Sequence, residues 1–165
     1  YEKMEAWRSN YHGLQARFKK TNFILYGSVD DIWLDTKNNY LILVDYKSQA
    51  NEKEVTQETY WDGDFKTGYQ RQLDFYFYLL KQQNLKETIS NDAYLLVVNA
   101  RGLENKFDNK LLFDSTLVHT KVKDDDLENE IQEMIDVFNS HNIPESNKLC
   151  KNCAYARQRS IIDKL

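Results

Sequence analysis

Tyr40-Leu41-Ile42-Leu43-Val44-Asp45-Tyr46-Lys47 is the most apolar run in the chain, and it ends on a carboxylate and an ammonium two residues apart. Its apolar residues fall on both faces of a two-residue period, so it reads as a strand buried on both sides. In a strand, residues i and i+2 share a face. Asp45 and Lys47 therefore point the same way at the open end of that strand. Just upstream lies a second acidic turn, Gly27-Ser28-Val29-Asp30-Asp31.

Working outward, the turn cluster Asp35-Thr36-Lys37-Asn38-Asn39 separates the central strand from strand-like residues 29–34. Residues 14–19 alternate at Leu14, Ala16 and Phe18, and residues 22–26 run apolar into Gly27, with a turn at Lys20-Thr21-Asn22 between them. Successive strands joined by short turns read as an antiparallel meander. Met4, Trp7 and Tyr11 have roughly the spacing of one helical face, which Gly13 breaks. Downstream, residues 48–64 are polar and aperiodic and read as a mobile loop beside the site, with Trp61 as its anchor. Residues 65–83 read as a helix whose stripe is Phe65, Tyr69, Gln72, Tyr76 and Leu80, widened by Leu73 and Phe77. A strand over 92–99 then lies parallel to the central one, because strand, crossover helix and strand impose that direction. Residues 111–122 make an edge strand. A second helix spans 124–140, with Asp124, Asp125 and Asp126 at its positive end. Asp125 and Glu128 resemble a capping box there. Leu127, Ile131, Met134, Ile135 and Phe138 form its buried face, and Pro144 follows.

The chain has 165 residues, 41% hydrophobic and 29% charged, which fits one folded domain over 1–165 with a core at about 14–140 and a tail at 141–165. No run approaches the roughly 20 apolar residues of a membrane span, and no secretory leader is visible. The chain opens at Tyr1 rather than Met and reads as a piece of a longer or processed protein. Its net charge of −4 argues against a general polyanion binder. Lys19, Lys20, Lys47, Lys66, Arg71, Arg101, Arg157 and Arg159 are available for phosphates, although each one singly reads as solvated charge. Cys150 and Cys153 form a lone C-x-x-C, which is no disulfide framework and points to a reducing, cytoplasmic setting. The pair reads as free thiols or, with His141 and an unidentified fourth ligand, as a structural metal site. His119 has no partner readable from the sequence.

Cleaving a phosphodiester needs an attacking water and neutralised charge at phosphorus, which Mg²⁺ held by one or two carboxylates can supply. Asp30 and Asp45 fit as ligands, with the Tyr46 main-chain carbonyl as a third. Lys47 fits as the group that holds the water and offsets phosphate charge. Asp31 is the alternative to Asp30. Trp33 reads as core.

Gly27-x-x-Asp30, Asp45-x-Lys47 and Gln72-x-x-x-Tyr76, in this order, resemble the PD-(D/E)XK nuclease superfamily, and more closely its RecB-like and phage-exonuclease-like branch. The resemblance covers roughly residues 23–99, and the C-x-x-C-x-Tyr ending extends it. It implies an α/β, restriction-endonuclease-like, three-layer core with a mixed central sheet flanked by helices. It implies Asp30, Asp45 and Lys47 as catalytic residues, with Gln72 and Tyr76 lining the site from one helix face. The implied activity is a DNA exonuclease or endonuclease using a Mg²⁺- or Mn²⁺-activated water, in DNA repair, recombination or phage replication. The sequence departs from some relatives in two ways. His12 sits before the first strand rather than in a helix that would bind a second metal. Two cysteines are also too few for the four thiolates of an iron–sulfur cluster, so none is expected. The alternative functions are a non-cleaving nucleic-acid-binding module on the same fold, or an interaction domain built on the C-x-x-C. No residue predicts an oligomeric state.

Overall fold

The computed structural model describes residues 3–62, 66–101, 109 and 111–162. In chain order the elements are α1 (Met4–Trp7), β1 (Leu14–Arg17), β2 (Ile24–Gly27), β3 (Asp31–Asp35), β4 (Tyr40–Ala50) and a 3₁₀ turn at Tyr60–Asp62. There follow α2 (Lys66–Lys81), β5 (Thr88–Arg101), β6 (Leu112–Lys121), α3 (Leu127–Asn139) and α4 (Lys151–Ile162). They fall into two compact units, Tyr1–Leu127 and Glu128–Leu165.

The first unit is built on a mixed sheet of order β3-β4-β5-β6. β4 pairs antiparallel with β3 and parallel with β5, and β5 pairs antiparallel with β6. The parallel pair follows from the α2 crossover between β4 and β5. β1 and β2 form a separate antiparallel pair. The expected continuous meander is therefore interrupted. β2 ends at Gly27, and the Val29 N–H donates to the Trp7 carbonyl at 3.1 Å instead of to a strand.

α2 packs on the sheet face that carries Leu41, Leu43, Ala93, Leu95, Val97 and Val118, all buried. Its other side meets β1 and β2, whose loop and strand bury Leu14 and Phe18. Two covered sides explain why Leu73, Phe77, Tyr78, Leu79 and Leu80 are all buried, a wider band than one stripe. Phe65 lies outside the described residues. The opposite sheet face is largely open, which corrects the expectation that the central strand is buried on both sides. Val44 is buried there, but Tyr40, Tyr46 and Trp33 are exposed. Trp33 stacks on Tyr94 with ring centroids 6.2 Å apart, rather than filling a core.

β4 runs three residues beyond Lys47, because Ser48, Gln49 and Ala50 pair with Val98, Asn99 and Ala100. The segment after it is irregular but not the free loop expected. The buried Asn99 side chain accepts from the Asn51 N–H and donates to the Asn51 carbonyl, each at 3.0 Å. Thr116 Oγ1 donates to the Val55 carbonyl at 3.0 Å. The Gln57 amide accepts from the His119 N–H at 2.7 Å and donates to its carbonyl at 2.8 Å, imitating a strand partner at the β6 edge. Tyr60, not Trp61, is the buried anchor, and Trp61 packs edge-on against it.

In the second unit α3 buries Ile131 and Ile135, whereas Met134 and Phe138 are 66% and 75% exposed. Only the i, i+4 row is covered, so the expected buried face was too wide. α3 also starts at Leu127 rather than Asp124, because Asp124 is held by the Lys81 ammonium at 2.9 Å. Residues 151–162 of the expected tail form α4, which buries none of its residues.

Candidate active site

The acidic turn is placed by a glycine. A Cβ on Gly27 would lie 2.8 Å from Cε1 of Tyr76 and 3.1 Å from Cδ1 of Leu79, so only a hydrogen lets α2 approach β2 this closely. Buried Val29 then fixes the chain, and Asp30 follows half-buried. The β3–β4 ladder stops at Asp31↔Val44, which leaves the Tyr46 N–H without a strand partner on that side. The Asp30 carboxylate accepts it instead, at 2.7 Å. The N–H and C=O of one strand residue project to the same edge, so the Tyr46 carbonyl faces the side where Asp30 sits. Asp31, one residue on, points to the other face and accepts from the Tyr46 hydroxyl at 2.5 Å. That hydrogen bond, before all else, raises the Tyr46 phenol above its ordinary value.

Asp45 is 2% exposed. The Lys47 ammonium lies 2.6 Å from its Oδ2 as an ion pair, and among the described residues no better-aligned donor reaches this buried oxygen. Burial raises the Asp45 carboxyl above its ordinary value, Lys47 opposes that, and the nearby Asp30 charge adds to it. Lys47 donates to Gln72 Oε1 at 2.9 Å, and Gln72 Nε2 donates to the Tyr76 hydroxyl at 2.8 Å. The ammonium also lies 4.3 Å from the centre of the Tyr69 ring. Tyr69, Gln72 and Tyr76 are three and four residues apart on α2 and so share a face. The polar Gln72 within an apolar stripe is thus the tether of Lys47. All five sequence-derived side chains, Asp30, Asp45, Lys47, Gln72 and Tyr76, come together.

These residues fit a hard divalent cation. Lys47 offsets only part of the cost of burying Asp45, whose carboxyl stays raised, and two carboxylates with a main-chain oxygen suit such an ion, with water and phosphate oxygens able to complete its shell. Among the described residues no group of three or more His, Cys, Asp and Glu is arranged to hold a metal.

Tyr69, whose ring the Lys47 ammonium approaches, had no site role in the sequence; its place three residues before Gln72 on one helix face was the available signal.

Other candidates lie elsewhere. His12 is exposed and pairs with Ser9 at 3.3 Å. His119 Nε2 is 2.6 Å from Asp92 Oδ1. Lys121 first, then His119, holds the Asp92 carboxyl below its ordinary value. Cys150 caps α4, its Sγ accepting from the Cys153 N–H at 3.4 Å. That bond lowers the Cys150 thiol, while Cys153 is raised by its contact with Cys150. No third ligand joins the two cysteines among the described residues.

An α/β fold whose mixed sheet presents a carboxylate and a lysine at strand positions i and i+2, beside a second acidic turn, defines a restriction-endonuclease-like protein. The family comparison agrees: the model of the PD-(D/E)XK nuclease superfamily matches residues 2–158, and the chain belongs to that superfamily. Nuclease chemistry on a nucleic acid follows from membership, and members generally use divalent metals such as Mg²⁺. No curated protein and no solved structure matches the chain. No helix among the described residues is long and apolar enough to cross a membrane.

Proposed function

We propose that the chain is a Mg²⁺- or Mn²⁺-dependent deoxyribonuclease, working as an exonuclease in DNA repair, recombination or phage replication. The observation that carries this reading is the buried Asp45 carboxylate, ion-paired to Lys47 at 2.6 Å and set beside Asp30. Asp30, Asp45 and the Tyr46 carbonyl would hold the cation, whose chemistry there would be to neutralise phosphoryl charge and acidify the attacking water. Lys47 orients that water and stabilises charge building on the phosphate. Gln72 keeps Lys47 in place, and Tyr76 keeps Gln72 in place, so the ammonium needs little reorganisation during the reaction. Burial of Asp45 sharpens these electrostatic effects by excluding water.

The test is cleavage of linear and circular DNA, single- and double-stranded, with Mg²⁺ or Mn²⁺. Nucleotide release from linear substrates alone supports the exonuclease. Cutting of circles would make it an endonuclease, and no cleavage with any metal would reject the enzyme.

A further inference from the structure

We propose that Lys66, Gln49 and the Tyr60 hydroxyl form a second phosphate seat, one nucleotide step from the carboxylate pair, that grips a neighbouring phosphate of the bound strand. The inference rests on the nuclease reading and adds a residue set to it.

The seat is a cleft of about 390 Å³ lined by these three residues, with exposed Lys53, Glu54 and Asp62 also on its wall. Tyr60 is 4% exposed, yet its hydroxyl has no hydrogen-bond partner among the described residues. An unmade bond on a buried hydroxyl is costly, so the group gains by donating to an oxygen brought into the cleft beside it. Burial, with the nearby Tyr69 and Asp45, pushes the phenol far up, which keeps it a donor at any working pH.

The Lys66 ammonium sits 3.6 Å from the centre of the Tyr60 ring and 5.5 Å from that of Tyr69. Its polar neighbour among the described residues is the Gln49 amide oxygen, at a long 3.5 Å. Among the described residues no carboxylate pairs with it. Burial and then the repulsion of Lys47 lower its pKa, so an anion between the two lysines would relieve both effects. Lys47 and Lys66 both approach the Tyr69 ring, and Gln49 follows Lys47 on the same face of β4. Two residues along a strand span about 6.6 Å, the scale of one nucleotide step. Lys66, which no carboxylate partners among the described residues, and the Tyr60 hydroxyl offer an anion two donors, and a nuclease's strand supplies that anion as phosphate.

The experiment is equilibrium binding of short single-stranded DNA, with Ca²⁺ in place of Mg²⁺, between 50 and 200 mM NaCl, for the unsubstituted chain, Lys66→Gln and Tyr60→Phe. Lys66→Gln is expected to lower the slope of log K against log[salt] by about 0.7, the value of one lost phosphate contact. Tyr60→Phe is expected to weaken binding about tenfold without lowering the melting temperature, an outcome a purely structural hydroxyl would not give. Methylphosphonates placed singly along the strand should weaken the unsubstituted chain at two adjacent positions and Lys66→Gln at one. Loss that instead tracks removal of a 5′-phosphate would make the gripped group a strand end, and would equally support the seat. Unchanged slope and affinity in both variants of a chain that binds and cleaves would overturn the seat alone. A chain that neither binds nor cleaves would overturn the nuclease with it.

Discussion

Asp45 gives up nearly all of its contact with water, and the Lys47 ammonium 2.6 Å from Oδ2 does not make up the loss. Its folded pKa is raised from the ordinary 3.8, so the folded state holds the proton more tightly than the unfolded chain does. The burial cost is therefore absent below the unfolded value. It grows as pH rises and is complete above the raised folded value. Asp45→Asn should accordingly leave the metal-free melting temperature at neutral pH unchanged or higher, and the advantage should vanish in acid. The same variant should lose the stabilisation that Mg²⁺ gives the unsubstituted chain, about 2.7 kcal/mol with the metal at a hundred times its Kd. That metal effect should itself fade as pH drops through the raised Asp45 value, because the cation needs the ionised form. Thermal melts with and without Mg²⁺ across pH check all three outcomes. At this scale the sequence was informative wherever spacing is local. Asp45 and Lys47 follow from period two, and Gln72 and Tyr76 from one helical turn. Tyr60 was invisible because its neighbours in space, Lys66 aside, are far from it in the chain or bear no periodic relation to it.

Two contacts between elements position the site. Gly27 lets the Tyr76 ring lie against β2, and Tyr76 tethers Gln72, which tethers Lys47. Gly27→Ala forces that ring aside. The expected cost is about 1–3 kcal/mol, the usual range for overpacking, and a fall in cleavage rate beyond what the melting temperature alone would suggest. Urea denaturation and single-turnover kinetics on the same variant separate the two. Asn99 is 1% exposed and clips the segment after β4 through the Asn51 N–H and carbonyl. Asn99→Ala leaves both groups without that partner, at about 1–3 kcal/mol, and hydrogen exchange should quicken at residues 51–57 before it does in α2. The parallel β4–β5 pair was legible because a strand–helix–strand order dictates it. The detached β1–β2 pair was not, since it depends on the Val29–Trp7 hydrogen bond. Nor was the open sheet face: an apolar run does not reveal which of its sides is covered. α4 escaped notice because a helix that buries none of its residues needs no apolar stripe.

Taken whole, the chain carries net negative charge, while among the described residues Lys47 on β4 and Lys66 at the start of α2 bring positive charge to the site's β4–α2 side. Affinity for DNA should thus depend on divalent metal as well as on salt, since the metal offsets the carboxylates that would otherwise repel phosphate. Filter binding with Ca²⁺ against chelator should show weaker retention in chelator. The most direct measurement is the single-turnover rate of DNA cleavage in Mg²⁺ for the unsubstituted chain beside Lys47→Ala. Cleavage that falls by about 10²–10³-fold in Lys47→Ala, as for loss of one preorganised charge-stabilising group, with the fold intact by its melting curve, is the expected result. Equal rates in the two proteins, or no cleavage by the unsubstituted chain in any divalent metal, would contradict the assignment of Asp30, Asp45 and Lys47 as a catalytic centre.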